Sequence, residues 1–198
     1  MKLVLATQNP KKLKEMNEIL RHLGVEVVSE AELGVRIEVE ETGDTFTDNA
    51  RLKATAVMQA TGLPAVADDS GLCVDALNGG PGVYSARFGG EGLDDKGRYT
   101  LLLEMLRGQT DRAAHFHTSI VCAFPNGDEL VCEGECLGTI AFAPMGEGGF
   151  GYDPVFFVPE LRKTFGQLTA EEKASVSHRG KALRAFAAAL DDYLKGNE

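Results

Sequence analysis

The first ten residues do most to limit the fold. Leu3-Val-Leu-Ala6 is an apolar run of strand length, and Asn9-Pro10 breaks it. Asn caps a helix and Pro fits a helical first turn, where its missing N–H is not needed. Leu13, Met16, Ile19, Leu20 and Leu23 then recur at helical spacing until Gly24, and Val25 to Val28 offers a second strand. A buried strand that leads through an amphipathic helix into another strand belongs to an α/β protein.

The rest of the chain keeps this mixture. Glu38 to Asp44 is polar and acidic, and a helix is predicted from Thr47 to Thr61, stopped by Gly62-Leu-Pro64. Ala65-Val-Ala67 reads as a strand that ends in a polar turn at Asp68-Asp69-Ser70-Gly71, with Leu72-Cys-Val74 as a separate short strand. Asn78 to Gly92, rich in glycine, reads as a long loop, and Asp94 to Leu106 as a helix. His115 to Phe124 and Glu129 to Phe142 read as long strands of a hairpin around Pro125-Asn-Gly-Asp128. Gly146 to Pro159 reads as loop and short strand. Thr169 and Glu172 form a capping box for a brief helix, and the last helix runs from His178 to Leu194 with Leu183, Phe186, Leu190 and Leu194 on one face. No repeat or linker divides the chain, so 1–198 is expected to be a single domain.

Charge excludes some partners. The formal net charge of -10 makes nucleic acid a poor partner, because a phosphate backbone needs clustered Lys and Arg. A small polyanion stays possible if a metal and a few local cations screen it. No run approaches the ~18 apolar residues of a membrane span. The N-terminal apolar run is too short for a signal peptide, so a cytoplasmic protein is expected. Cys73, Cys122, Cys132 and Cys136 lack C-x-x-C spacing and read as reduced, small hydrophobic residues, with a zinc site as the alternative. His115 and His117 share one strand face, which suits a metal pair or a packed core equally.

Five constellations could carry chemistry. Thr7-Gln8-Asn9-Pro10-Lys11-Lys12 passes from strand to helix, where unpaired N–H groups attract anions and Lys12 adds charge. The same residues also describe an ordinary cap followed by a solvated basic turn. Asp68-Asp69 can supply hard oxygen ligands to magnesium or take a proton from water, or can simply shape a turn. Glu38, Glu40 and Glu41 repel one another unless solvated or neutralised by a cation. Gly146 to Gly151 satisfies G-x-G-x-x-G, but no helix is expected to follow, so a dinucleotide site is rejected. A loop that offers Phe150 to a base is the functional alternative to a turn with Phe150 in the core. Lys173 and Ser177-His178-Arg179 sit near the start of the last helix and could donate to a carbonyl oxygen of a base, as Arg does to guanine O6.

Together and in this order, these pieces resemble the inosine triphosphate pyrophosphatase family. The matching segments are Thr7-x-Asn9-x-x-Lys12, Glu40-Glu41-Thr-Gly43, Phe46-x-x-Asn49-Ala-x-x-Lys53-Ala54, Ala67-Asp-Asp-Ser-Gly-Leu72, Pro81-Gly-x-Tyr-Ser-Ala-Arg87, Gly148-Gly-Phe-Gly-Tyr-Asp-Pro154 and Ser177-His-Arg179. One departure is Gln8, where the family usually has Gly; it adds a side chain beside the phosphate loop.

The resemblance implies an elongated mixed central sheet flanked by helices, two lobes with an active-site cleft between them, and usually a homodimer. It implies that Thr7, Gln8, Asn9, Lys12 and Lys53 hold the triphosphate, and that Glu41 and Asp69 hold Mg2+. Asp69 is also implied as general base, with Ser70 touching substrate. Phe150, Gly151, Tyr152, Asp153, Lys173, His178 and Arg179 are implied to bind the nucleoside. The expected reaction cuts a non-standard purine triphosphate (ITP, dITP or XTP) into monophosphate and pyrophosphate. Competing readings are a pyrophosphatase for other damaged nucleotides, a nucleotide-binding module without turnover, and a zinc hydrolase.

Overall fold

The computed structural model describes residues 1–7 and 9–196. In chain order the elements are β1 (Lys2–Leu5), α1 (Pro10–Leu20), β2 (Glu26–Ser29), α2 (Phe46–Thr61), β3 (Ala65–Val74), α3 (Asp95–Met105), β4 (Ala113–Ala123), β5 (Glu129–Ile140), β6 (Phe156–Val158), β7 (Lys163–Thr164), α4 (Ala170–Val176) and α5 (His178–Gly196). The strands form a seven-stranded sheet in the order β2-β1-β3-β4-β5-β6-β7. β1 is parallel to β2 and to β3, whereas β6 is antiparallel to β5 and to β7, so the sheet is mixed and flanked by helices, as expected. The residues gather into two compact units: Met1–Asp69 with Thr118–Gly134 and Lys181 onward, and Ser70–His117 with Glu135–Gly180.

The first unit follows from strand alternation. Leu3 and Leu5 of β1, Val27 of β2 and Val66 of β3 bury one face with Met16 and Leu20 of α1 and Phe186 and Leu190 of α5. Val4, Val28 and Ala65 bury the other face with Val57 of α2. Parallel strands covered on both sides need apolar residues at consecutive positions, which is why Leu3-Val-Leu5 does not alternate with polar residues. Thr45 caps α2 by accepting from the Asp48 N–H, and left-handed Gly62 (φ 68°) ends it by donating to the Met58 carbonyl at 2.8 Å. The hairpin between β4 and β5 closes where Gly127 (φ 91°) donates to the Phe124 carbonyl at 3.0 Å.

The second unit has its own core. Leu72, Val74, Leu102, Leu106, Ile140, Phe156 and Phe165 are buried together with Phe116. The Phe116 and Phe156 rings meet edge-on with centroids 4.7 Å apart. The buried Arg112 guanidinium donates to the carbonyls of Leu106, Ile140 and Ala141, so its charge is solvated by backbone rather than water.

Two sequence expectations change. Asp68-Asp69-Ser70-Gly71 is no turn: β3 continues through it as one ten-residue strand, so the acids lie inside a strand and point to opposite faces. The stretch from Asn78 to Gly92 is not plain loop, since a short 3-10 helix spans Gly82–Arg87. The capping box at Thr169 and Glu172 forms as predicted. All four cysteines are free, and Cys122, Cys132 and Cys136 are buried. Among the described residues no helix is long and apolar enough to cross a membrane.

Candidate active site

In the first unit the strand order β2-β1-β3 is a switch point, because the chain leaves β1 toward β2 and later returns on β1's other side as β3. Ligands of open α/β sheets gather outside the carboxyl ends of such strands. Thr7 to Lys12 leave the carboxyl end of β1, and Asp68 and Asp69 lie in β3 beyond its pairing with Leu5. The opposite facing of these two acids decides their partners. Asp68 lies on the Val66 side, where Lys12 of α1 donates to Asp68 Oδ2 at 2.7 Å. Asp69 lies on the Ala65 and Ala67 side, where Lys53 of α2 donates to Asp69 Oδ1 at 3.1 Å.

Lys53 does more than pair with one acid. Its ammonium also donates to Glu41 Oε1 at 2.8 Å and to the Asp68 carbonyl at 2.9 Å. The acidic segment before α2 and Asp69 of β3 thus meet on one cation. Asp68 side-chain exposure is 2%, against 13% for Asp69 and 32% for Glu41, so the cluster runs from interior to solvent. Two carboxylates, Glu41 and Asp69, thus share the Lys53 ammonium.

Burial pushes the Asp69 carboxyl above its ordinary range; Lys53 partly offsets this, while the neighbouring Glu41 charge adds to it. Burial works against the Lys53 charge, but Asp69 and Glu41 outweigh it and hold the ammonium above its usual range. A carboxylate with a raised pKa is a better base than a solvated one.

Among the described residues no three His, Cys, Asp or Glu side chains converge as a metal set. Magnesium does not require one: it takes one or two carboxylates and fills its shell with water and substrate phosphate. Glu41 and Asp69, two hard oxygen donors brought to one point from separate segments, fit that pattern. Thr7 and Asn9 line a cavity of about 330 Å³ with Ser29, Glu30 and Arg36. Thr7 Oγ1 accepts from the Asn9 N–H at 3.2 Å. Gln8 lies outside the described residues. Ser70 follows Asp69 and is exposed.

The second unit gathers the other predicted residues. Asp153 is buried, and its Oδ2 accepts from Lys173 Nζ at 2.5 Å and from the Phe150 N–H at 2.8 Å. Burial pushes the Asp153 carboxyl up, and the Lys173 charge and the Phe150 N–H offset only part of this. The Lys173 ammonium lies 4.6 Å from the centre of the Phe150 ring. Phe150 itself is 73% exposed, so it is not a core residue. Gly149 takes φ 80°, and a Cβ there would collide with Asp153 Oδ2, so glycine is required at this bend. The Gly151 N–H donates to Asp95 Oδ2 at 2.7 Å. Tyr152 turns inward: its ring is buried and its hydroxyl donates to the Ser85 carbonyl at 2.8 Å. No helix follows the glycines; the chain turns and enters β6. His178 opens α5 and stacks on Phe116 with centroids 4.6 Å apart and an 11° interplanar angle, and Arg179 follows it. Gly180 lets α5 start here, because a Cβ would run into the Ala174 carbonyl.

Sequence reasoning gave no role to Asn49 or Asp95, and offered Asp68 as a metal ligand or base rather than as the partner of Lys12. The adjacent acids could have revealed Asp68, since neighbours on a strand face opposite ways. Asn49 had a weaker signal: a polar residue in a helix position that the structure buries completely.

A model of the Ham1 family matches residues 3–189. The chain is 50% identical to a dITP/XTP pyrophosphatase of Exiguobacterium over 196 residues, which cover 99% of this chain and all of that protein. It is 53% identical to a dITP/XTP pyrophosphatase of Thermus thermophilus over 194 residues, 97% of this chain and 93% of that one. Among solved structures, a HAM1 protein from Coxiella burnetii is similar with a TM-score of 0.93 at 43% identity, covering 97% of this chain and 99% of the other.

Proposed function

The chain belongs to the Ham1 family, and from that premise we propose that it hydrolyses non-standard purine nucleoside triphosphates (ITP, dITP and XTP) to the monophosphate and pyrophosphate, using Mg2+. One observation carries this: Glu41 and Asp69, from separate segments, share the Lys53 ammonium, and Asp68, next to Asp69 in β3, holds Lys12. Hydrolysis at the α-phosphorus is chiefly a problem of positioning and charge. Lys12 and Lys53, with Thr7, Gln8 and Asn9, take the phosphate oxygens. Asp69 orients a water and removes its proton, and its raised pKa supports that role. Held by Glu41 and Asp69, Mg2+ would neutralise charge on the departing pyrophosphate.

Phe150 supplies an exposed ring on which a base can stack, and Lys173 and Asp153 fix it from behind. Gly151, Tyr152 and Ser70 belong to the same proposed contact set. His178 and Arg179 donate to the oxygen at purine position 6, which hypoxanthine and xanthine carry. Adenine has an amino group there and strands those donors, at a cost of roughly 1–3 kcal/mol each. A homodimer and a cytoplasmic location belong to the same proposal. The exposed Leu137 and Phe142 side chains support contact with a second copy.

Turnover of ITP, XTP, GTP and ATP, measured with and without Mg2+ and with products identified, tests the proposal. ITP and XTP should give monophosphate and pyrophosphate only with metal, and ATP should react far more slowly. Equal rates for all four would remove the selectivity claim, and release of orthophosphate would remove the reaction.

A further inference from the structure

We infer that Asn49 is a positioning residue that holds Asp69 and the Glu41-bearing segment in register; this rests on the role proposed for Asp69. Asn49 sits in the first turns of α2 and has no solvent exposure. An amide is a poor choice there on helix propensity and on burial, so each of its polar groups needs a partner. Both are satisfied by groups of the site. Asn49 Oδ1 accepts from the Gly43 N–H at 2.8 Å, two residues after Glu41. Asn49 Nδ2 donates to Asp69 Oδ2 at 3.4 Å, while Lys53 holds Asp69 Oδ1.

The amide can sit only one way round, because Gly43 offers a donor and Asp69 offers an acceptor. Packing leaves it no freedom. A Cβ on Gly43 would lie 2.8 Å from Asn49 Oδ1 and 2.6 Å from Asp48 Cβ. One side chain therefore ties the irregular acidic segment to the strand that carries the base, and fixes the second oxygen of that base. Asn49 bonds the proposed base and the Gly43 segment directly and reaches the phosphate-holding Lys53 only through Asp69, so a fault here should reach turnover more than substrate affinity.

Two variants separate the halves of the clamp. Asn49→Asp keeps an acceptor for Gly43 and nearly the same shape, but sets a like-charged oxygen against Asp69. Asn49→Ala removes both bonds. With ITP and Mg2+, both should lose about 100-fold in kcat, the scale of a misplaced catalytic group, with KM within about threefold. By hydrogen exchange without nucleotide, the Gly43 amide should stay protected in Asn49→Asp and exchange at least about tenfold faster in Asn49→Ala. A normal kcat in Asn49→Asp, a loss confined to KM, or unchanged Gly43 protection in Asn49→Ala would overturn the inference. If Asn49→Asp fails to fold, kcat against KM in Asn49→Ala decides. If wild-type protein turns over neither ITP nor XTP, the proposed reaction fails on its own, and the Gly43 comparison still tests the clamp.

Discussion

Both units set an Asp against a Lys, yet the two pairs differ in charge. Lys173 meets one carboxylate, Asp153, and rests over the Phe150 ring, so charge is balanced and an exposed aromatic surface remains. Lys53 is instead shared by two carboxylates, Glu41 and Asp69. A balanced pair beside an aromatic ring suits recognition of a flat, neutral base. A carboxylate surplus around one ammonium suits a cation and a water that must lose its proton. The same two residue types make both groups, and the number of carboxylates on the lysine separates them.

The sharpest way to break this contrast is to neutralise one acid in each unit. Asp69→Asn should lower kcat on ITP by about a thousandfold, ~4 kcal/mol in barrier, and a loss under about tenfold would remove the base assignment. Stability should not suffer. Because burial raises the folded carboxyl above 3.8, the folded state holds its proton more tightly than the unfolded one. Stability from Asp69 is therefore present below pH 3.8 and is lost as pH rises through the raised value. Urea unfolding at neutral pH should find Asp69→Asn at least as stable as wild type.

In the second unit the stability effect is reversed. Lys173→Met leaves the buried Asp153 charge without its cation and should cost about 3 kcal/mol in urea unfolding. Adding Asp153→Asn should restore most of it; no recovery would mean that Lys173 acts by packing alone.

Phe150→Ala tests recognition without touching charge balance. It should raise KM for ITP about tenfold, ~1.4 kcal/mol, with kcat nearly constant, as expected for a lost stacking surface. A fall in kcat with KM unchanged would place Phe150 in the chemistry and blur the division between the units.

The smallest effect concerns Tyr152. Burial pushes its hydroxyl up to about 12, where it donates to the Ser85 carbonyl. Its contribution to stability is full below pH 10.0 and fades as pH rises toward 12. Tyr152→Phe should therefore be less stable than wild type at neutral pH, by about 1 kcal/mol, and the gap should close across that window. A gap that stays constant across that window would mean that the hydroxyl does not titrate there.

The part of the fold legible in the sequence was the part set by local chemistry. Asn9-Pro10, Gly24, Gly62 and the Thr169–Glu172 box mark helix ends because caps and left-handed turns use few residue types. The continuous strand at Asp68 to Gly71 was not legible, because those residues favour turns and only tertiary pairing holds them extended. Among candidate site residues, Glu41 and Asp69 stand in family-like motifs of the sequence. That Lys53 joins them, that Asp68 holds Lys12, and that Asn49 braces Asp69 depend on which faces meet in space. Tyr152 shows the same limit: it lies in a motif of the nucleoside group, yet its ring packs inward.

Hydrolysis of ITP in water labelled with heavy oxygen tests the central claim most directly, since it asks which phosphorus the water proposed to be activated by Asp69 attacks. The label should appear in the nucleoside monophosphate and not in pyrophosphate. Label in pyrophosphate or in free phosphate would contradict it.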